Sequence, residues 1–183
     1  MTVLRADAER NRGLILEAAR SVFAEQGVEA GVAEVAERAG VGVATIFRRF
    51  PTKDDLLAAI LEDRLREIVE IARQATSFRE FMVAATAVHM ADRCLCDAVD
   101  REVFSRPELE LARREVRPLV GALLDGAQAA GEIRSDLTVD DIPVVLLGVA
   151  RSAPQDSWRR YLEFALDGLR PRGSRPRAGA AAP

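Results

Sequence analysis

Apolar residues return every three or four positions along most of this chain and nowhere alternate with polar ones over the length of a strand, so the pattern predicts an all-α protein. Ile15, Ala18, Ala19, Val22 and Phe23 form one stripe of a first helix, from about Asp7 to Gln26, with Gly27 ending it. Residues 1 to 6 carry nothing apolar that would anchor them and are expected to be disordered. Val32, Val35, Ala36 and Ala39 fall at i, i+3, i+4 and i+7, and Gly40 then supplies the left-handed conformation that stops a helix. A second short helix runs from Val43 to Phe50, with Ile46 pointing back at the first and Pro51 as the stop. Two short helices joined by a tight turn form a helix-turn-helix, whose second helix enters the DNA major groove.

Beyond Pro51, Thr52 is a natural N-cap, with Asp54 and Asp55 in the first turn where carboxylates complement the helix dipole. Leu57, Ile60, Leu61, Leu65, Ile68 and Ala72 extend that helix to about Gln74. Five more helices are expected before Arg170, making about nine in all. Ser77 caps one running toward Cys94. A short one spans about Asp97 to Phe104. Pro107 opens a long one, which Pro118 is expected to kink. Thr138 with Asp141 reads as a capping box for a helix over 138–152, and Asp156 or Ser157 caps the last, 157–169. From Arg170 onward the chain offers nothing to bury and reads as a disordered tail. The domain division is 1–52, 53–170 and a tail 171–183.

Charge narrows the picture by position rather than in bulk. The formal net charge is −3, from 26 basic and 29 acidic residues, so any DNA contact must come from a local patch. Between Gly40 and Lys53 the charged residues are Arg48, Arg49 and Lys53, with no acid among them. A solvated helix face usually mixes both signs, and this bias suits a surface that meets phosphate. Lys53 is the only lysine of the chain and stands at a helix N-terminus, where phosphate oxygens are also attracted. Arg5, Arg10 and Arg12 form a basic arm beside the first helix, which by itself reads as a solvated tail and which resemblance to a known DNA-binding family, set out below, would let touch DNA backbone or minor groove.

Arg12 to Leu57, with ILEAARSVFAEQG and then VAEVAERAGVGVATIFRRFPTKDDLL, closely resembles the DNA-binding domain of the TetR family of transcriptional regulators. The resemblance is ungapped over about 45 residues, far more specific than a bare helix-turn-helix pattern. The chain departs from it at Ala30-Gly31 and Gly42, where the family has Ser or Thr caps, and at Phe47, where the family commonly has a Tyr that reaches phosphate. The resemblance implies a DNA-binding set of Val43, Ala44, Thr45, Phe47, Arg48, Arg49 and Lys53, and double-stranded DNA with a palindromic operator as the partner. It implies an inducer pocket in the second domain, for which Phe78, Phe81, Met82, Ala85, His89, Arg93 and Phe104 are the candidates. It implies a homodimer through the last two helices, with Val145, Trp158, Tyr161, Leu162, Ala165 and Leu169 as candidate interface residues. The expected function is a repressor released by a small-molecule inducer.

Other classes fit less well. One histidine excludes sites that need two or three, and neither a glycine-rich phosphate loop nor a G-x-S-x-G elbow occurs. A small all-helical enzyme, or a redox or metal sensor using His89, Asp92 and Cys96 at i, i+3 and i+7, remains the alternative. Cys94 and Cys96 would point to nearly opposite sides of a helix and cannot bridge one another. No cofactor is expected. No apolar run reaches 18 residues and the N-terminus is polar, so no membrane partner and a cytoplasmic location are expected.

Overall fold

The computed structural model describes residues 2–91 and 106–171. Among the described residues it contains eight helices and no strand: α1 (Thr2–Gln26), α2 (Val32–Ala39), α3 (Val43–Arg49), α4 (Lys53–Gln74), α5 (Phe78–Ala91), α6 (Pro107–Ala129), α7 (Ile142–Ser152) and α8 (Trp158–Gly168). The expected helix over 97–104 and the tail from Arg172 lie outside the described residues.

The chain packs around two hydrophobic clusters that meet along α4. The first joins Ile15, Val22 and Phe23 of α1, Val35 and Ala36 of α2, Ile46 of α3 and the first half of α4. It also takes in Leu109 and Ala112 from the start of α6, and Leu109 is completely buried. The second gathers the remainder of α4, then α5, the later turns of α6, and α7 and α8. Both α4 and α6 therefore contribute to both clusters, and these two long helices lie against each other. Arg20 on α1 donates to Asp63 on α4 at 2.9 Å, and Arg73 on α4 donates to Glu115 on α6 at 2.8 Å.

Helix ends follow the punctuation of the sequence in most places. Gly40 has φ 66, Gly40 N–H donates to Glu37 O at 3.2 Å and Val41 N–H to Ala36 O at 3.0 Å, the two bonds of a Schellman turn. Gly27 and Gly131 likewise take positive φ, 84 and 71. Thr52 and Asp55 form a full capping box: Asp55 N–H donates to Thr52 Oγ1, and Thr52 N–H donates to Asp55 Oδ2. Gly31 and Gly42 start α2 and α3 in extended conformations with no side-chain cap.

Three boundaries differ from expectation. α1 begins at Thr2, not near Asp7: a helix already anchored from Ile15 onward propagates back through Leu4, Ala6, Ala8 and Arg10, which are good helix formers. Thr138 and Asp141 do bond, with Asp141 Oδ2 accepting from Thr138 N–H at 2.8 Å and from its hydroxyl at 2.6 Å, but α7 starts only at Ile142. Pro143 sets that start, because it has no N–H to give to the Val139 carbonyl and is tolerated only in a first turn. Ser157 is the N-cap of α8, yet its hydroxyl makes no cap bond.

Candidate nucleic-acid interface and interior cavity

Burial orients α3. Ile46 and Phe50 are sunk in the first cluster, which leaves Val43, Ala44, Phe47, Arg48 and Arg49 on the outside and Thr45 half-buried. Phe47 is 44% exposed, a large ring held in solvent on a helix whose other face is core. Arg48 Nη2 donates to Thr45 Oγ1 at 3.1 Å, so the two polar groups expected to face DNA are linked along the helix. The Lys53 ammonium stands 5.8 Å from the centre of the Phe23 ring, at the first residue of α4. Arg49 is not a free cation: its guanidinium lies 3.5 Å from Glu9 on α1. That contact spans 40 residues of sequence and brings an acid to a patch whose own sequence has none.

Where α3 gives way to α4, a second junction reaches the later domain. Arg106, the N-cap of α6, donates to Asp55 Oδ1 at 2.5 Å while Asp55 Oδ2 serves Thr52. The Arg106 bond first, and the Thr52 hydroxyl after it, hold the Asp55 carboxyl below the usual carboxylate range. A small cleft of about 280 Å³ opens here between Arg49, Pro51, Asp55, Glu62 and Arg106.

A larger cavity of about 410 Å³ lies between α4, α5, α6 and α7. Its apolar wall includes Ile68, Phe81, Val116, Val120, Ile142 and Leu146, and its charged side is Glu110, Arg114, Arg117 and Asp140, all exposed, with Arg113 half-buried. Of the residues expected to form a pocket, Phe81 and His89 line this cavity. Phe78, Met82 and Ala85 do not: they are spent in the second cluster on the faces of α5 that meet its neighbours. Arg93 and Phe104 lie outside the described residues, as do Asp92, Cys94 and Cys96 of the alternative metal or redox reading. Burial, with the nearby Arg64 charge as the smaller cause, pushes the His89 imidazole down to about 4, so it is neutral at physiological pH. The α6 side of the cavity was missed in the sequence, where none of Glu110, Arg113, Arg114 and Arg117 was singled out.

The candidate dimer residues divide. Trp158 and Leu162 are buried in the protomer's own second cluster and are not surface groups; α5 and α7 already cover them. Val145, Ala165 and Leu169 are half-buried against the same cluster. Tyr161 is exposed, together with Val144 and Phe164, which the sequence reading did not single out.

A three-helix head with an outward α3, joined through α4 to a helical domain enclosing a cavity, defines a helix-turn-helix regulator of transcription. The family described as bacterial regulatory proteins, tetR family, matches residues 15–60, and the C-terminal domain of SbtR-like transcriptional regulators matches residues 73–171. The chain belongs to the TetR family, whose members are DNA-binding transcriptional regulators and not enzymes. It is similar to a TetR transcription regulatory protein from Mycobacterium vanbaalenii, 35% identical, covering 92% of this chain and 99% of that one with a TM-score of 0.62. A TetR regulator from Streptomyces coelicolor is 32% identical over 88% of this chain and 99% of its own, with a TM-score of 0.61. An HTH-type transcriptional regulator of Mycobacterium tuberculosis is 30% identical over 147 residues, 74% of this chain and 76% of the relative. No described helix is long and apolar enough to cross a membrane.

Proposed function

We propose that the protein is a ligand-responsive repressor that occupies a palindromic operator as a cytoplasmic homodimer and leaves it when a small-molecule inducer enters the 410 Å³ cavity. The observation that carries this reading is the course of α6. Its first turn is buried in the head through Leu109, and two turns later Val116 and Val120 wall the cavity. A ligand that moves α6 therefore moves part of the core on which the reading helix sits.

On DNA, Thr45 and Arg49 turn to bases, Arg48 and Lys53 to phosphates, and Phe47 packs on sugar or on a thymine methyl. Two heads about 34 Å apart read successive major-groove faces of a palindrome, and because the duplex fixes that spacing a modest displacement is enough to lose it. A coupling of ~1–3 kcal/mol, 5- to 150-fold in DNA affinity, is ordinary for such a switch.

The test is selection of bound sequences from random duplex DNA with the purified full chain. A recovered palindrome supports the reading. Reciprocity then tests the switch, since an inducer that weakens operator binding must itself be bound more weakly by the same factor in the presence of operator. Equal inducer affinity with and without DNA rules the switch out.

A further inference from the structure

We infer that α3 reads methyl groups: Val43 and Phe47 form an apolar ridge that packs on the C5-methyl groups of thymines in each half of the operator. This rests on the proposed docking of α3 in the major groove and specifies which base chemistry that helix takes.

The polar side chains of α3 are Thr45, Arg48 and Arg49, and each has a partner within the protomer. Arg48 Nη2 donates to Thr45 Oγ1 at 3.1 Å, and the Arg49 guanidinium lies 3.5 Å from Glu9. Val43 and Phe47, in contrast, are 40% and 44% exposed, and Ala44 beside them is exposed as well. The core takes Ile46 and Phe50 from this segment and leaves these three in water. Val43 and Phe47 stand at i and i+4, neighbours on one flank of the helix and roughly 6 Å apart along its axis. That flank is therefore a short ridge of aliphatic and aromatic carbon on the helix that faces DNA.

A ring and a branched side chain held in water gain from burial only against an apolar partner. Base edges in the major groove present hydrogen-bond donors and acceptors, and the apolar group that projects among them is the thymine C5-methyl. Were the ridge to settle on a G·C pair, the guanine N7 and O6 and the cytosine amine would lose water and find no hydrogen bond in return. Phe47 has no hydroxyl with which to reach a phosphate, so its ring can contribute only apolar contact. Charge brings the ridge to that surface: Arg48 lies beside it and Lys53 follows α3, with no acid between Gly40 and Lys53 in the sequence.

The experiment starts from the duplex recovered by selection from random unmethylated DNA, in which thymine alone carries the methyl. Each thymine of a half-site, and then its mate in the other, is replaced by deoxyuridine, which lacks the methyl and keeps every hydrogen-bonding group. Binding of the full chain is read by fluorescence anisotropy. At the thymines under the ridge the loss is expected to be about three- to fivefold for each methyl removed, the worth of one buried apolar carbon, and about tenfold or more when both half-sites are altered. Phe47→Ala and Val43→Ala should each weaken binding to the thymine duplex and no longer respond to deoxyuridine at the position that side chain covers. If a duplex is recovered but deoxyuridine changes affinity nowhere, or if its effect is as large in both variants as in the unaltered chain, the methyl reading is overturned while the DNA-binding regulator stands. If no duplex is enriched, the regulator reading itself falls and this inference with it. The deoxyuridine series on the unaltered chain is decisive even should a variant fail to fold.

Discussion

Arg106 and Asp55 are 51 residues apart in the chain and 2.5 Å apart in the fold, so the N-cap of α6 is bonded to the first turn of α4 just beyond the reading helix. Asp55 divides its carboxylate, Oδ1 for Arg106 and Oδ2 for Thr52, and thereby serves two helix starts at once. Its folded pKa lies below the ordinary value, because Arg106 and then Thr52 favour the charged form. A depressed carboxylate stabilises the fold above its unfolded pKa near 4, and that contribution is lost as the pH falls through the lower folded value. Asp55→Asn is therefore expected to be about 1 kcal/mol less stable than the unaltered chain at pH 7, from a weakened cap and a partly exposed ion pair. The difference should close at strongly acid pH. Urea midpoints at pH 7 and at pH 3 check this, and a gap that persists undiminished in acid would mean the charge on Asp55 is not what stabilises the junction.

The contact between Arg49 and Glu9 makes a second prediction. At 3.5 Å the acid holds a guanidinium on the exposed face of α3 that the proposed complex turns toward DNA, where the two would compete. Glu9→Gln should therefore raise affinity for duplex DNA about two- to fivefold, the worth of an exposed ion pair, and more on specific than on scrambled duplexes, since Arg49 is proposed to meet bases. Fluorescence anisotropy on specific and scrambled duplexes reads both quantities. Weaker binding in the variant would show that Glu9 orients Arg49 rather than restraining it.

Lys53 and Thr45 should separate positioning from reading. Lys53→Ala is expected to lower affinity by a similar factor on every sequence and to flatten the salt dependence by about one unit, as loss of one phosphate contact does. Since the ammonium also sits 5.8 Å from the Phe23 ring, the variant loses up to about 1 kcal/mol of stability, and binding should be compared well below its unfolding temperature. Thr45→Ala should instead change which sequences are preferred. An unaltered salt slope in Lys53→Ala removes the phosphate role.

What could be read in the sequence was local. Gly40, the Thr52 N-cap and the stripe of α2 each specify themselves within four or five residues, and each stands where expected; that Asp55 also bonds back to Thr52 as a capping box is added by the structure. The pairs Arg106 with Asp55 and Arg49 with Glu9 were hidden, because periodicity says which face of a helix is polar and not which distant residue arrives there. The same limit governs α8. Trp158 and Leu162 were recognisable as apolar, but whether the protomer or a partner covers them depends on how α5 and α7 pack. The cavity was half legible for a related reason: α5 carries an obvious apolar run, whereas the arginines on its α6 side look like any solvated face until the fold brings Asp140 and Ile142 to line the same cavity.

His89 makes acid stability a reporter of the cavity. Its folded pKa of about 4 lies below the ordinary 6.5, chiefly because it is buried. A histidine depressed in the fold costs nothing above pH 6.5; between that pH and about 4 the unfolded chain takes up a proton that the folded chain refuses, and stability falls. The shift corresponds to about 3 kcal/mol at its full extent. His89→Gln should flatten the stability profile across that window and leave intact the further loss below pH 4, where Asp55 and other paired carboxylates titrate. Urea melts at half-unit pH steps distinguish the two windows, and a variant profile as steep as the original between pH 6.5 and 4 would mean His89 is protonated in the fold.

The last prediction concerns the outer face of the final two helices. Val144 is 71% exposed, Phe164 56% and Tyr161 46%, and the rings of Tyr161 and Phe164 meet edge to face with centroids 6.1 Å apart. Large apolar groups in solvent on two helices that pack together, α7 and α8, are the kind of surface that a second copy covers. Leu162, on the same helix, is wholly buried in the protomer and supplies the contrast. Val144→Glu with Phe164→Glu should convert a dimer to a monomer in sedimentation or light scattering, retain helical content, and abolish tight binding to a two-half-site operator while leaving weak binding to one half-site. Leu162→Ala should do the reverse, costing about 2–5 kcal/mol of folding stability through the cavity it leaves, without a new charge at the surface. A doubly substituted chain that sediments as a dimer would place the contact between copies elsewhere on the molecule.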